Sequence, residues 1–285
     1  MDFMGKALTN TYSSMSEASH DSHFYAKCIR ELSLRLVHKA KASHIASALS
    51  IADLLAVIYF GKNVINFESP DQPQRDRILL SKGHACTALY SALYLKELYT
   101  LRDLFTYGED SSRFMNHASH HVPGVEFSTG ALGHALPVAC GMALAAKLEK
   151  KIWHTFVIIS DGELQEGSNW EAMLFANHHQ LDNLSICIDF NNLQSLTTTD
   201  QTISLRPLSE KLNAFGWSVE EVDGHEHEQL RNALITSRHN NKPTAIILNT
   251  VKGKGVSFME NSVAWHYRSP SDEDLQNALQ ELGVQ

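Results

Sequence analysis

The chain has 285 residues, 43% of them hydrophobic, enough to bury a sizeable core in one large or two small domains. Its formal charge of -8 argues against a broad nucleic-acid or acidic-membrane surface and leaves room only for local basic loops. Cys28, Cys86, Cys140 and Cys187 are scattered without CxxC spacing, and no apolar run reaches signal-core or membrane length. The expectation is a soluble, cytoplasmic protein with no nucleic-acid or membrane partner and no zinc or disulfide framework.

Residues 1–21 are rich in Ser, Thr and Asn, show no sustained period and read as a polar arm, which leaves 22–285 as one domain. Phe24, Cys28, Ile29, Leu32 and Leu36 recur at helical spacing, and a second helix is predicted over 51–60. From there short strand-like runs alternate with helical ones. Strands are predicted at 77–80, 155–159, 184–190, 218–222 and 244–250, and helices near 87–98, 137–148, 169–179, 208–215 and 226–238. This alternation predicts an α/β fold with a mostly parallel central sheet flanked by helices. Residues 99–128 form a long connection with little regular pattern, a feature often tied to function.

The segment SDGELQEG, starting at Ser160, closes one apolar run, and Asn191-Asn192 closes the next. Asp161 lies about thirty residues before Asn191, a separation suited to a strand-helix-strand unit whose two strand ends converge. Taken singly, Asp161 reads as a helix cap and Asn191-Asn192 as a turn. Together, their oxygen donors suit Mg²⁺, while Gly162 and the helix start behind it suit a diphosphate.

The linked pattern resembles the thiamine diphosphate fingerprint, with Ser160 in place of its first glycine. More of the chain, residues 26–266, resembles transketolase, particularly the N-terminal subunits of split transketolases. The matching segments are DRILLSKGHACTALY from Asp76, PGVEFSTGALGHALPVACGMALA from Pro123, SDGELQEGSNWEAMLFANHHQLDN from Ser160, and TVKGKGVSFMEN from Thr250 with Trp265-His266 beyond it. Departures are SHIAS around His44, NHA around His117, His134 where glutamine is common and Ala135 where glycine is common.

The resemblance implies a thiamine diphosphate-binding fold. It places a divalent ion, Mg²⁺ with Ca²⁺ or Mn²⁺ able to substitute, on Asp161, Asn191 and the carbonyl of Leu193. It brings Gly162, Glu163, His84 and His266 to the cofactor, with Gly130 and Leu132 on its aminopyrimidine side. His44, His84, His117 and His266 are assigned to the thiazolium and sugar channel, where neutral imidazoles can move protons between hydroxyls. The family also needs a pyrimidine-binding domain, for which the chain has no evident room. The implied partner is therefore a C-terminal subunit, with the αβ pair doubled into a heterotetramer and Glu166 reaching across the interface. The implied reaction moves a two-carbon ketol unit from a ketose, phosphorylated or not, to an aldose. Delivery of that unit to a specialised sugar or carrier protein, and a cofactor-binding homologue without turnover, remain open alternatives. Lys252 and Lys254 suit either a substrate phosphate or a solvated basic turn, and Cys86 and Cys187 read as packing residues.

Overall fold

A computed structural model describes residues 21–284; the polar arm expected over 1–21 falls, apart from Asp21, outside them. Asp21 caps the first helix by accepting from the Phe24 backbone N–H at 3.1 Å. The cap starts the helix two residues earlier than its apolar stripe does. The helices are α1 (Ser22–Ala40), α2 (Ile45–Ser50), α3 (Ala52–Phe60), α4 (Cys86–Leu95), α5 (Leu101–Leu104), α6 (Ala135–Leu148), α7 (Gly167–His178), α8 (Thr199–Ile203), α9 (Leu208–Ala214), α10 (His227–Ser237) and α11 (Asp272–Glu281). The strands are β1 (Arg77–Leu80), β2 (Thr155–Ser160), β3 (Leu184–Phe190), β4 (Ser218–Asp223) and β5 (Thr244–Asn249). The stripe did not reveal α2, and the helix expected from 87 begins at Cys86 and stops at Leu95. The connection 99–128 holds only the single turn α5, fixed by a capping box between Thr100 and Asp103. No helix among the described residues is long and apolar enough to cross a membrane.

All five strands are parallel, in the order β1-β2-β3-β5-β4. Every residue of β3 is buried, as expected of a central parallel strand covered on both faces. The two-residue period divides the core. Ile78, Phe156, Ile158, Cys187 and Ile246 join one layer with α1, α3, α4 and α10, while Leu79, Val157, Ile159, Ile186 and Ile247 join the other with α6, α7 and α9. A third cluster packs α11, Val256, Met259 and Trp265 against α1 and α2, which fastens the chain's last described segment over the sheet's carboxyl edge. The chain steps β1 to β2 to β3, moves to the edge as β4 and returns as β5, so its direction reverses beside β3. Open α/β sheets hold ligands at such a reversal, beyond the carboxyl ends of the strands.

Candidate active site

Four strand ends feed one cavity of about 250 Å³. Beyond β1, a Cβ on Gly83 would meet the Thr129 carbonyl oxygen at 2.5 Å, so only glycine lets the 118–130 segment dock there. Thr129 Oγ1 donates to Leu80 O at 2.7 Å and the Ala118 N–H to Gly83 O at 3.1 Å. This docking brings His117 and Gly130 beside His84. From the other side, the His44 N–H donates to His266 O at 2.9 Å, with His44 itself in the left-handed backbone region at φ 72°.

Four imidazoles therefore cluster. Ring centroids lie 5.0 Å apart for His44 and His84, 5.0 Å for His44 and His266, 5.7 Å for His84 and His266, and 6.1 Å for His44 and His117. Burial pushes all four below the ordinary imidazole value. His44 falls to about 4, helped by His117 and Lys252, and His266 to about 3, helped by Lys252. His84 sits well below it, with Lys82 adding to burial, and His117 is lowered by burial. The cluster is neutral near pH 7, so each ring can donate and accept.

Asp161, 1% exposed, caps the end of β2. Its Oδ1 accepts from Gly162 N at 2.7 Å and its Oδ2 from Asn192 N at 2.6 Å, which ties the ends of β2 and β3 together. Burial, then the nearby Asp189, pushes the Asp161 carboxyl up to about 7. Asn191 gives its amide N–H to Asp189 Oδ2 at 2.8 Å while its Oδ1 accepts from Leu193 N at 3.1 Å. Asp189 in turn pairs with Lys82 at 2.5 Å, both wholly buried, and Lys82 also donates to Ser47 O at 3.0 Å. Burial alone would raise Asp189, but the Lys82 charge and the hydrogen bonds to Lys82, Thr250 and Ser50 hold it below its ordinary value.

Lys252 overturns the solvated-turn reading: it is 2% exposed and lines the cavity. Its ammonium donates to Leu193 O at 2.9 Å and lies 3.0 Å from His266 Nδ1. An ammonium has no lone pair, so Nδ1 is the acceptor and the His266 proton sits on Nε2. Burial, then Lys82, lowers Lys252 to about 8.

Of the residues singled out from sequence, His44, His84, His117, Gly130, Leu132, Asp161, Gly162, Asn191, Leu193 and His266 all line this cavity. Glu163 and Glu166 do not. The wholly buried Glu163 carboxylate accepts from Ser81 Oγ, from Gly133 N at 2.8 Å and from Ser160 N at 3.4 Å, so it braces the loops behind the cavity wall. Glu166 is exposed at the start of α7. Ser47, Lys82, Gln194 and Tyr267 line the cavity without having been singled out. Lys82 was legible as a cation inside the SKGH turn, and Asp189 as a lone carboxylate in an apolar strand.

The donor set can be tested for a metal and an anion. No group of three or more His, Cys, Asp or Glu side chains among the described residues could hold a metal. An ion here would draw on one carboxylate, one amide oxygen, one carbonyl and the ligand's own oxygens, which fits Mg²⁺. Gln194 Nε2, buried in the wall beside Gly162, has no hydrogen-bond partner, and with Lys252 it leaves donors for an anion.

Residues 22–285 match the family described as "Transketolase, thiamine diphosphate binding domain". The chain is 41% identical over 254 residues to an apulose-4-phosphate transketolase subunit of Phocaeicola vulgatus, covering 89% of this chain and 90% of that protein. It is 38% identical over 270 residues to a 6-deoxy-6-sulfo-D-fructose transketolase subunit of Clostridium sp., covering 94% and 98%. Among solved structures, transketolase from Leishmania mexicana superposes with a TM-score of 0.85 at 29% identity, covering 93% of this chain and 42% of that one. Transketolase from Campylobacter jejuni superposes with a TM-score of 0.84 at 30% identity, covering 91% and 42%.

Proposed function

This chain belongs to the transketolase family, through its thiamine diphosphate-binding domain, and we propose that it is the N-terminal subunit of a two-component transketolase. The reaction proposed is transfer of a two-carbon ketol unit from a ketose, phosphorylated or otherwise anionic, to an aldose. The observation that carries this reading is the meeting of the Asp161, Asn191 and Leu193 oxygens with four neutral imidazoles in one cavity.

In this proposal Asp161, Asn191 Oδ1 and the Leu193 carbonyl hold Mg²⁺, while Gly162, Gln194 and Lys252 face the diphosphate. Gly130 and Leu132 border the aminopyrimidine side. When bound, thiamine diphosphate supplies an electron sink for breaking and remaking a carbon–carbon bond. The chain's own part is to orient sugar hydroxyls and move their protons, which His44, His84, His117 and His266 can do in both directions because none is fixed as a cation.

Partner dependence is supported by the two relatives named as subunits, each spanned over nine-tenths or more of its length. An outward apolar surface also supports it. Helices α6 and α7 pack on one another, Leu174 is 57% and Phe175 40% exposed, and a Cβ at Gly141 would meet nothing within 4 Å. Glu166 at the head of α7 would then face the partner, a C-terminal subunit carrying the pyrimidine-binding domain, in an α2β2 assembly. The test is to co-express the chain with its neighbouring reading frame, identify bound cofactor by mass, and follow ketol transfer from ketose donors. Full turnover by the isolated chain would remove the two-subunit reading, and no bound or bindable thiamine diphosphate would remove the rest.

A further inference from the structure

A second group of buried charges lies outside the cavity. Asp53, on α3, is 6% exposed, and its carboxylate takes four side-chain contacts. Arg30 of α1 donates from Nη1 to Oδ1 at 2.9 Å and from Nη2 to Oδ2 at 2.5 Å. His225 Nδ1 lies 2.7 Å from Oδ2 and His227 Nε2 3.1 Å from Oδ1. Burial alone would raise this carboxyl, but the two histidines and Arg30 hold it well below the ordinary range. Neither Asp53 nor His225 lines the cavity.

The group reaches the cavity by way of backbone. The Val251 N–H donates to His225 Nε2 at 2.8 Å, so Nε2 carries no proton, and the proton on Nδ1 points at Asp53. On the other side, Arg30 Nε donates to Lys254 O at 2.9 Å. One carboxylate thus grips the chain through two arms, at residue 251 and residue 254, on either side of Lys252. Between them Gly253 turns at φ 85°, where a Cβ would meet Met259 O at 2.3 Å. Buried ion pairs give little net stability compared with apolar packing of the same volume. What this arrangement adds is direction, because the Val251 N–H and the Lys254 carbonyl are each held by a side chain that Asp53 orients.

We propose that Asp53, His225 and Arg30 form a positioning hub that sets where the Lys252 ammonium stands in the cavity. His225 is the arm that communicates with the residue next to Lys252. The inference rests on the reading above that Lys252 faces the cofactor's diphosphate, and concerns how this chain places that charge.

The test is a double-mutant cycle on Mg²⁺–thiamine diphosphate affinity, measured by calorimetry with the partner subunit present, with a thermal melt of each variant. Lys252→Met is expected to lose about ten- to a hundredfold in affinity, the range for a charge-assisted hydrogen bond. His225→Phe, which keeps ring volume but removes both hydrogen bonds, is expected to lose roughly tenfold, and His225→Gln, which keeps a donor and an acceptor, to recover most of it. With Lys252→Met already present, His225→Phe should change affinity by less than about twofold, because the group it positions is gone. Should His225→Phe not fold, Asp53→Asn is put through the same cycle and is expected to give the same non-additive loss. Losses that multiply in the double variant, or a His225→Phe affinity equal to wild type while Lys252→Met is weakened, overturn the hub. Failure of the wild-type assembly to bind, or wild-type affinity in Lys252→Met, overturns the diphosphate reading and the hub with it.

Discussion

Replacing Lys82 by methionine isolates the charge on which the end of β3 depends. Lys82 and Asp189 are a wholly buried pair at 2.5 Å, and the substitution keeps stem volume while leaving Asp189 unpaired. Breaking such a pair from one side costs about 3–5 kcal/mol. Ser50 and Asn191, at 2.7 Å and 2.8 Å, and Thr250 still donate to Asp189, which places the expected loss near the lower end, about 3 kcal/mol by urea unfolding at pH 8. The pH dependence has a definite sign. In the wild type Asp189 is held below its ordinary value, so its stabilisation is present above the unfolded pKa and is lost as pH falls through the folded one. Without Lys82, burial raises the Asp189 carboxyl instead, so the native state holds a proton that the unfolded chain has released. The penalty therefore grows as pH rises, and is smaller at pH 5 than at pH 8. Lys82→Met/Asp189→Leu should regain at least half of the lost stability, yet not the affinity for Mg²⁺–thiamine diphosphate, because Asn191 has lost the acceptor that orients its amide. A penalty flat in pH, or a double variant less stable than Lys82→Met, would refute the pairing account.

Asp161→Asn should abolish the thermal shift that Mg²⁺–thiamine diphosphate produces, while in chelator the chain still folds with a loss of about 1–3 kcal/mol for the one backbone N–H from which the amide nitrogen cannot accept; an intact shift in scanning fluorimetry rejects the ligand assignment. Gly83→Ala puts a methyl group 2.5 Å from the Thr129 carbonyl oxygen, with expected destabilisation of about 1–3 kcal/mol in urea and loss of cofactor affinity as His84 shifts. His154, bonded to Ser185 Oγ at 2.8 Å, is lowered by burial from 6.5 to about 3, so between those values the unfolded chain binds a proton that the native one refuses. Stability should fall on acidification from pH 6.5, and His154→Gln should remove about 2 kcal/mol of the loss between pH 6.5 and 5, read as the difference between two pH–stability curves.

The strand ends were legible because their signals are local. An apolar run closed by Asp161-Gly162 and another closed by Asn191-Asn192 mark two parallel strands, and the pairing of Ser160 with Asp189 puts both tips at one level of the sheet. The histidines were legible only through the family pattern, since nothing in the spacing of His44, His84, His117 and His266 predicts rings 5.0–6.1 Å apart. Lys252 was left open between a phosphate-binding and a solvated role for a related reason. A lysine just before a glycine in a Lys- and Gly-rich turn is usually solvated, and what buries this one is the third core cluster, in which Val256, Met259 and Trp265 pack the loop onto α1 and α2 from far along the chain. Glu163 shows the opposite failure, where a carboxylate beside a ligand motif is consumed by loop N–H and hydroxyl donors before it can reach the cavity.

The buried lysines and the imidazoles belong to one electrostatic arrangement. Burial first, then neighbouring charge, depresses the rings: Lys82 outweighs Lys252 on His84, Lys252 outweighs Lys82 on His266, and Lys252 adds to His117 on His44. A histidine cluster open to water would instead titrate near pH 6.5, and its members would exchange acid and base roles with small changes in pH. Here the positive charge is carried by two ammoniums, Lys82 and Lys252, and is kept off the rings beside them; in the proposed function the ammoniums would suit an anion and the neutral rings reversible proton exchange. The same cations reach the acid side: Lys82 compensates Asp189, whereas Asp161, left near neutrality by burial and by Asp189, is the one cavity carboxyl whose charge a divalent ion would complete. Confinement of the positive charge to the ammoniums, even where Lys252 lies 3.0 Å from His266, is therefore the feature through which cofactor capture and proton handling would coexist in the proposed function, and it is set by residues as distant in sequence as Lys82 and Lys252.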